Sequence, residues 1–131
     1  MKIVFEGIFF DRDEVLKLAE LIGTERLEHV AKHPHVTTSI YPKKVLESYT
    51  IGEKVKCEIV GYGNDGQTEG VLVKLPEGKP CNNTIPHIMI SNVEGAKTAD
   101  TSLLVFEMLP QSVYLEGTFG RFDDHDKKVI V

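Results

Sequence analysis

The chain has 131 residues, of which 41% are hydrophobic and 27% charged, and its net charge is −5. This length and composition are typical of one globular domain, so we predict a single domain over residues 1–131. The acidic balance argues against a protein that coats a long stretch of nucleic acid, because phosphate neutralisation needs many Lys and Arg side chains. A small anionic substrate remains compatible, since residues 31–56 carry five lysines and only two glutamates.

The sequence points to a cytoplasmic protein with no membrane partner. No apolar run approaches the roughly 18 residues that a membrane helix needs, and the N-terminus lacks a signal-peptide cleavage pattern. The two cysteines, Cys57 and Cys81, form neither a C-x-x-C pair nor a zinc spacing. Nothing therefore demands a disulfide, and we interpret each as a buried or idle thiol. The sequence assigns no oligomeric state.

The N-terminal third predicts a strand, a helix and a second strand. Residues 2–11 are rich in β-branched and aromatic side chains, which favours a strand. Residues 11–23 predict a helix, because acidic residues fill the first turn and apolar residues recur at helical spacing. Residues 24–34 form a short helical or irregular piece, and residues 35–42 predict the next strand. The apolar face of the helix holds Val15, Leu18, Ala19 and Ile22.

The rest of the chain predicts mainly strands. A hairpin is expected over residues 53–75, because alternating segments flank the turn sequence GNDGQ. Residues 43–49 predict a brief helix or loop, and residues 95–109 predict a helix. Further strands are expected over residues 85–91, 111–124 and 127–131. Six or seven strands with two or three helices indicate an α+β fold with a mainly antiparallel sheet.

Two strands begin with a Pro-His pair, and they carry the most informative pattern in the chain. The first contains His35-Val36-Thr37, and the second contains His87-Ile88-Met89. Because residues i and i+2 of a strand face the same way, His35 and Thr37 share one face, as do His87 and Met89. If the two strands lie side by side, two imidazoles and a hydroxyl converge on one cleft.

Phosphodiester cleavage is the chemistry that uses such a set. One neutral histidine takes a proton from the attacking water, and a protonated histidine gives one to the leaving alkoxide. A threonine hydroxyl donates a hydrogen bond to a phosphate oxygen. No metal and no cofactor is needed. The alternative is an unrelated α+β protein–protein module, in which His35 and His87 are structural and lie far apart.

Other signals are weaker. His125 lies among aspartates in the sequence DDHDK, which is more typical of a hairpin turn than of a metal site. The sequence GYGNDG has the G-x-G-x-x-G spacing, but a strand follows it where a dinucleotide site needs a helix, so we interpret it as a turn. His29 and His33 are interpreted as surface residues. Of Phe9 and Phe10, one faces the core, and the other, or Tyr41, is a candidate to stack on a base.

The two Pro-His strands resemble the signature strands of the two-histidine (2H) phosphoesterase superfamily, whose repeated motif is His-hydrophobic-Thr/Ser-hydrophobic. The segments PHVTTSIYP and PHIMISNVEGAKTADTSLL carry this resemblance. The second segment is similar to the cyclic phosphodiesterase domain of fungal-type tRNA ligases and related RNA-repair proteins. The resemblance spans most of the chain, but its specific content is two tetrapeptides and their surroundings.

This resemblance implies a bilobed fold, with two mainly antiparallel sheets flanking a central cleft and two or three helices. It also implies a cyclic phosphodiesterase, a hydrolase of RNA processing and repair, that takes a nucleotide or RNA terminus bearing a 2′,3′-cyclic phosphate. His35 and His87 would be the catalytic acid–base pair, and Thr37 would bind the phosphate.

The second motif departs from the family pattern, because Met89 stands where the family has Thr or Ser. A thioether is a poor replacement for a hydroxyl that donates a hydrogen bond to phosphate. Ser91 is expected on the same strand face as Met89, but about 6–7 Å further along, so it is not a simple replacement. We expect Thr37, Met89 and Ser91 to contact substrate. The alternative function is a weakened module that binds RNA ends or nucleotides without turnover.

Overall fold

The structure is a computed structural model that describes residues 3–22, 25–40, 49–79, 81, 85–95, 104–123 and 128–130. It contains one helix, α1 (Arg12–Ile22), and eight strands within these residues. The strands are β1 (Ile3–Phe9), β2 (His29–Val30), β3 (His35–Ile40), β4 (Lys54–Asn64), β5 (Thr68–Lys74), β6 (His87–Asn92), β7 (Glu107–Asp123) and β8 (Lys128–Ile130).

The eight strands form a single antiparallel sheet in the order β2-β6-β5-β4-β7-β1-β3, with β8 also paired to β7. The predicted fold, two sheets flanking a cleft with two or three helices, is therefore wrong. The physical reason is the length of β7, which has 17 residues. Its first part pairs with β4 and its second part pairs with β1, so one strand joins the two expected sheets by continuous hydrogen bonding.

The core lies on one face of the sheet, under α1. Alternate strand residues bury their side chains here, and Ile8, Val36, Ile88 and Phe119 are all 2% exposed or less. Helix α1 packs its predicted apolar face, from which Val15, Leu18 and Ala19 are buried. Asp11 caps α1 by accepting a hydrogen bond from the Glu14 amide at 3.1 Å. Burying this stripe against the sheet is what stabilises so short a helix.

Several predicted elements are confirmed and one is wrong. The first helix and the hairpin are present, and β4 and β5 meet at a turn in which Gly66 has a φ of +84°. The helix expected over residues 95–109 is wrong at its end, because the chain from Glu107 onward is strand. Residues 41–48, 96–103 and 124–127, which include Tyr41, the brief helix or loop and His125, lie outside the described residues.

Among the residues that the structure describes, no helix combines the length and the apolar composition required to cross a membrane.

Candidate functional site

The two Pro-His strands lie close together. In the sheet order β3 is one edge and β6 is next to the other edge, yet Cα atoms of the two strands come within 8 Å of each other. The sheet therefore bends so that these strands approach without pairing. Each is entered through a proline whose carbonyl binds the neighbouring strand. The Pro34 carbonyl accepts from the Phe10 amide, and the Pro86 carbonyl accepts from the Val73 amide, both at 2.9 Å.

The two strands form an internal repeat, because each pairs with its neighbouring strand in the same pattern. His35 lies opposite Phe9 of β1, and His87 lies opposite Leu72 of β5. One step further along each strand, Val36 and Ile88 turn to the opposite face, where both are fully buried. The predicted alternation is thus present in both halves, and both histidines lie on the less buried face of the sheet.

The next positions of the repeat are Thr37 and Met89, each half-buried and each opposite a glycine. Thr37 faces Gly7, and Met89 faces Gly70. A Cβ atom at Gly7 would approach the Val36 carbonyl oxygen to 2.4 Å, so the glycine lets β3 come close to β1. Among the described residues, nothing hydrogen-bonds the Thr37 hydroxyl, which leaves it available to a ligand. Met89 presents a thioether at the equivalent place.

Ser91 does not share this face, because each motif strand contains a β-bulge after its third position. In β6, Met89 pairs with Gly70 but Ser91 pairs with Glu69, so Ile90 is an extra residue. The extra residue reverses the alternation and turns Ser91 to the core side. Ser91 is fully buried and its hydroxyl donates to Glu69 at 2.7 Å. This hydroxyl is therefore used inside the fold, and we leave Ser91 out of the candidate site.

Both histidines have the same ring orientation. His35 Nδ1 lies 2.7 Å from the His33 carbonyl oxygen, and His87 Nδ1 lies 2.7 Å from the Ile85 carbonyl oxygen. A carbonyl can only accept, so Nδ1 must carry the proton in each ring. The other nitrogen, Nε2, is then the one that can exchange a proton with a ligand. The Pro-His turn thus fixes the same tautomer twice.

His35 is packed between aromatic rings. Its imidazole stacks on Phe5 with ring centroids 4.4 Å apart, and Phe9 lies against it at 5.4 Å. Burial lowers the pKa of His35 below the ordinary value, although the hydrogen bond to the His33 carbonyl opposes the shift. Positive charge on His87 and on His33 lowers the pKa of His35 further.

Behind the second motif strand lies a buried carboxylate that the sequence analysis did not single out. Glu69 is fully buried and forms an ion pair with Arg26 at 2.6 Å. It also accepts hydrogen bonds from Ser91 and from the Tyr62 hydroxyl. Burial and this hydrogen bond raise the pKa of Tyr62. The network ties β4, β5 and β6 to the segment before β2.

The first motif strand has a matching carboxylate. Glu6 is 5% exposed, is paired with Ser39 in the sheet and contacts Arg121 at 3.2 Å. Both buried glutamates precede the glycine that faces the third motif position. The sequence signal that could have found them is this repeated Glu-Gly dipeptide, opposite a His-x-x-x-Ser strand in each half. Their arginine partners carry no comparable signal, because they are distant along the chain.

Metal-ligating side chains gather elsewhere. Within the described residues, Glu28, His29 and Glu94 have ligand atoms within 4.8 Å of one another, and all three are exposed. His29 lies opposite Asn92, at the end of β6 that is remote from His87. This group is separate from the two motif histidines.

No family model and no curated protein sequence matches the chain. Among solved structures, the chain is similar to a fungal RNA kinase, with a TM-score of 0.64 and 9% sequence identity. The alignment covers 94% of this chain but 46% of that one, so this chain spans less than half the length of the kinase structure. A likeness at this identity shows a shared fold.

Proposed function

We propose that the chain hydrolyses a 2′,3′-cyclic phosphate, or a related phosphodiester, at an RNA end or on a nucleotide. The observation that carries this proposal is the repeated setting of His35 and His87. Each ring has its Nδ1 proton held by a carbonyl two residues earlier, on strands that approach each other. RNA as the substrate class is supported by the fold likeness to a fungal RNA kinase and by the resemblance of the two motifs to 2H phosphoesterases.

In the proposed step, water attacks phosphorus while His35 accepts the proton of the water on Nε2. The lowered pKa of His35 favours the neutral ring that a general base requires. A bond forms between phosphorus and the water oxygen, and the bond to one ribose oxygen breaks. Protonated His87 donates its Nε2 proton to that oxygen, which gives a nucleoside 2′- or 3′-phosphate. Two side chains carry both proton transfers, so the step calls on no metal ion.

The Thr37 hydroxyl is assigned to a non-bridging phosphate oxygen, where negative charge grows during the reaction. It lies two residues from His35 on the same strand face, which places hydroxyl and imidazole side by side. Met89 holds the equivalent place beside His87 and offers no donor of this kind. The proposed site therefore stabilises the phosphate mainly from the side of β3.

The direct test is the release of product from a panel of nucleoside 2′,3′-cyclic phosphates. We expect His35→Ala and His87→Ala each to lose about 100- to 10,000-fold in kcat, the usual contribution of one acid–base group. His29→Ala is the matched control, because His29 is exposed and paired with Glu28. Hydrolysis that is absent from the wild type, or equal in the wild type and His35→Ala, would contradict the enzymatic proposal.

A second candidate function is binding of a nucleotide or RNA end without turnover, and Met89 is the observation that favours it. Calorimetry separates the two, because a binding module takes up a nucleoside 2′- or 3′-phosphate while cyclic substrates stay intact. Met89→Thr restores the second hydroxyl of the repeat. A measurable gain of hydrolysis in Met89→Thr over an inert wild type would support this second candidate, and failure of both proteins to bind these ligands would eliminate it.

A further inference from the structure

A cavity of about 340 Å³ opens beside His35 and has no role in the proton transfers. It is lined by Phe9, Phe10, Arg12, Lys32, His33, Thr118 and Val129. Two of these residues contact His35 directly. The Phe9 ring lies 5.4 Å from the imidazole, and the His33 carbonyl holds its Nδ1. A ligand with its reacting group at His35 can therefore extend into the cavity.

The register places two lining residues, Phe9 and Thr118, one and two strands away from His35. Phe9 is opposite His35, Thr118 is opposite Phe9, and Lys54 is opposite Thr118. The four residues form one row across β3, β1, β7 and β4, on the same face of the sheet. Because adjacent strands are about 5 Å apart, the cavity begins about 5 Å from His35. A single ligand can therefore reach both the imidazole and the cavity.

Positive charge surrounds the cavity. Arg12 and Lys32 line it, and the Lys54 ammonium donates to the Thr118 hydroxyl at 2.9 Å. Arg12 is held over the cavity because its Nε donates to the Ala31 carbonyl at 3.2 Å. In the described part of the chain, none of these three cations forms an ion pair with a carboxylate. In a protein of net charge −5, three uncompensated cations at one place favour an anionic ligand.

The apolar lining comes from the end of β1, from Phe10 just after it and from Val129 of β8. Both phenylalanines line the cavity, but Phe10 also belongs to the core cluster, whereas Phe9 lies outside that cluster, between His35 and Thr118. An aromatic edge or face beside a cationic rim suits a nucleoside whose sugar or base packs on the ring while a phosphate meets the cations.

We propose that this cavity is a second phosphate subsite, which receives the 5′-phosphate of the terminal nucleotide while its cyclic phosphate lies between His35 and His87. The inference rests on the proposed function and adds the substrate class. The preferred substrate is the end of an RNA chain, which carries that additional phosphate, and not a free nucleoside cyclic phosphate. Arg12 and Lys32 bind the phosphate, and the Thr118 hydroxyl with Lys54 borders it.

The test compares the binding of adenosine 3′,5′-bisphosphate with that of adenosine 3′-phosphate by calorimetry, without any turnover. We expect the wild type to bind the bisphosphate about two- to thirtyfold more tightly, which is the summed contribution of two exposed ion pairs. In Lys32→Glu this ratio should fall close to one. Lys74→Glu is the matched control, because this substitution makes the same change in net charge. Lys74 is also exposed, and it lies at the end of β5. It should keep the wild-type ratio.

The possible results distinguish the phosphate subsite from the proposed histidine site. Equal binding of the two ligands by the wild type overturns the subsite and leaves the histidine site standing. A ratio that falls equally in Lys32→Glu and Lys74→Glu also overturns it, because the preference then comes from net charge alone. Preference for the bisphosphate that depends on Lys32, together with no hydrolysis, supports the subsite and removes the enzymatic proposal. Failure of the wild type to bind either ligand overturns both.

Discussion

At the scale of single residues, each motif histidine enters the site with one nitrogen already committed. The carbonyls of His33 and Ile85 hold Nδ1, so neither ring needs to reorient or change tautomer when a ligand arrives. Ring position is fixed further at His35, where Phe5 and Phe9 pack on the imidazole. In the proposed reaction, this pre-organisation would spare the two imidazoles the cost of being oriented when the substrate binds.

The same packing predicts the pH dependence of hydrolysis. The base must be neutral, and burial lowers the pKa of His35, so we expect kcat/KM to rise with pH along a limb centred below the ordinary histidine value of about 6.5. Phe5→Ala admits water to the ring and should move that limb upward. The measurement is a pH–rate profile of both proteins, with Tyr114→Ala, an exposed aromatic of β7, as control. A limb above 6.5, or one that Phe5→Ala leaves in place, contradicts His35 as the base.

At the scale of elements, the motif strands depend on the buried carboxylates behind them. Glu69 lies under the β6 bulge and neutralises Arg26, whose side chain is only 18% exposed. The pair holds the segment before β2 against the core side of β5 and β6. A buried ion pair contributes little net stability while it is intact, but it becomes costly when one partner is removed, because the other is left as an uncompensated buried charge.

We therefore expect Glu69→Gln to lower the free energy of unfolding by about 3–5 kcal/mol. Urea denaturation measures it. Glu116→Gln is the control, because Glu116 also precedes a glycine but is exposed, and it should change stability by less than about 0.5 kcal/mol. Adding Arg26→Met to Glu69→Gln should recover part of the loss. Equal stability of Glu69→Gln and Glu116→Gln would show that the buried pair does not support the motif strands.

Alternation along the chain was enough to predict the faces of His35 and His87, and helical spacing was enough to predict α1. Neither pattern reveals a bulge, and for this reason Ser91 was expected beside Met89 rather than beside Glu69. The helix expected over residues 95–109 is wrong at its end, because local apolar content does not show that Glu107 pairs with β4. The pairing of Glu6 with Arg121 spans 115 residues of sequence, so it follows from the finished sheet and not from local pattern.

At the scale of the whole molecule, the distribution of charge limits the partner. The net charge is −5, and Arg12 and Lys32 at the cavity, with Lys54 beside it, are a local exception. We expect affinity for RNA to rise from a mononucleotide to a short oligonucleotide and then to level off. Fluorescence anisotropy with a series from dinucleotide to hexadecamer measures this. The slope of log K against log salt should be about −2, as for three contacts to a single strand. A slope that steepens with RNA length would indicate an extended binding surface.

The long strand β7 also has a consequence for how the protein forms. It pairs with β4 and with β1, so the hydrogen-bonding edges of both remain open until residues 107–123 have left the ribosome. Open edges invite pairing with other chains, and contacts between distant segments form slowly. Until then β1 and β4 should each expose one unpaired edge, because their other edges pair with β3 and β5. The two halves of the repeat are thus joined into one sheet by a strand that belongs to neither motif.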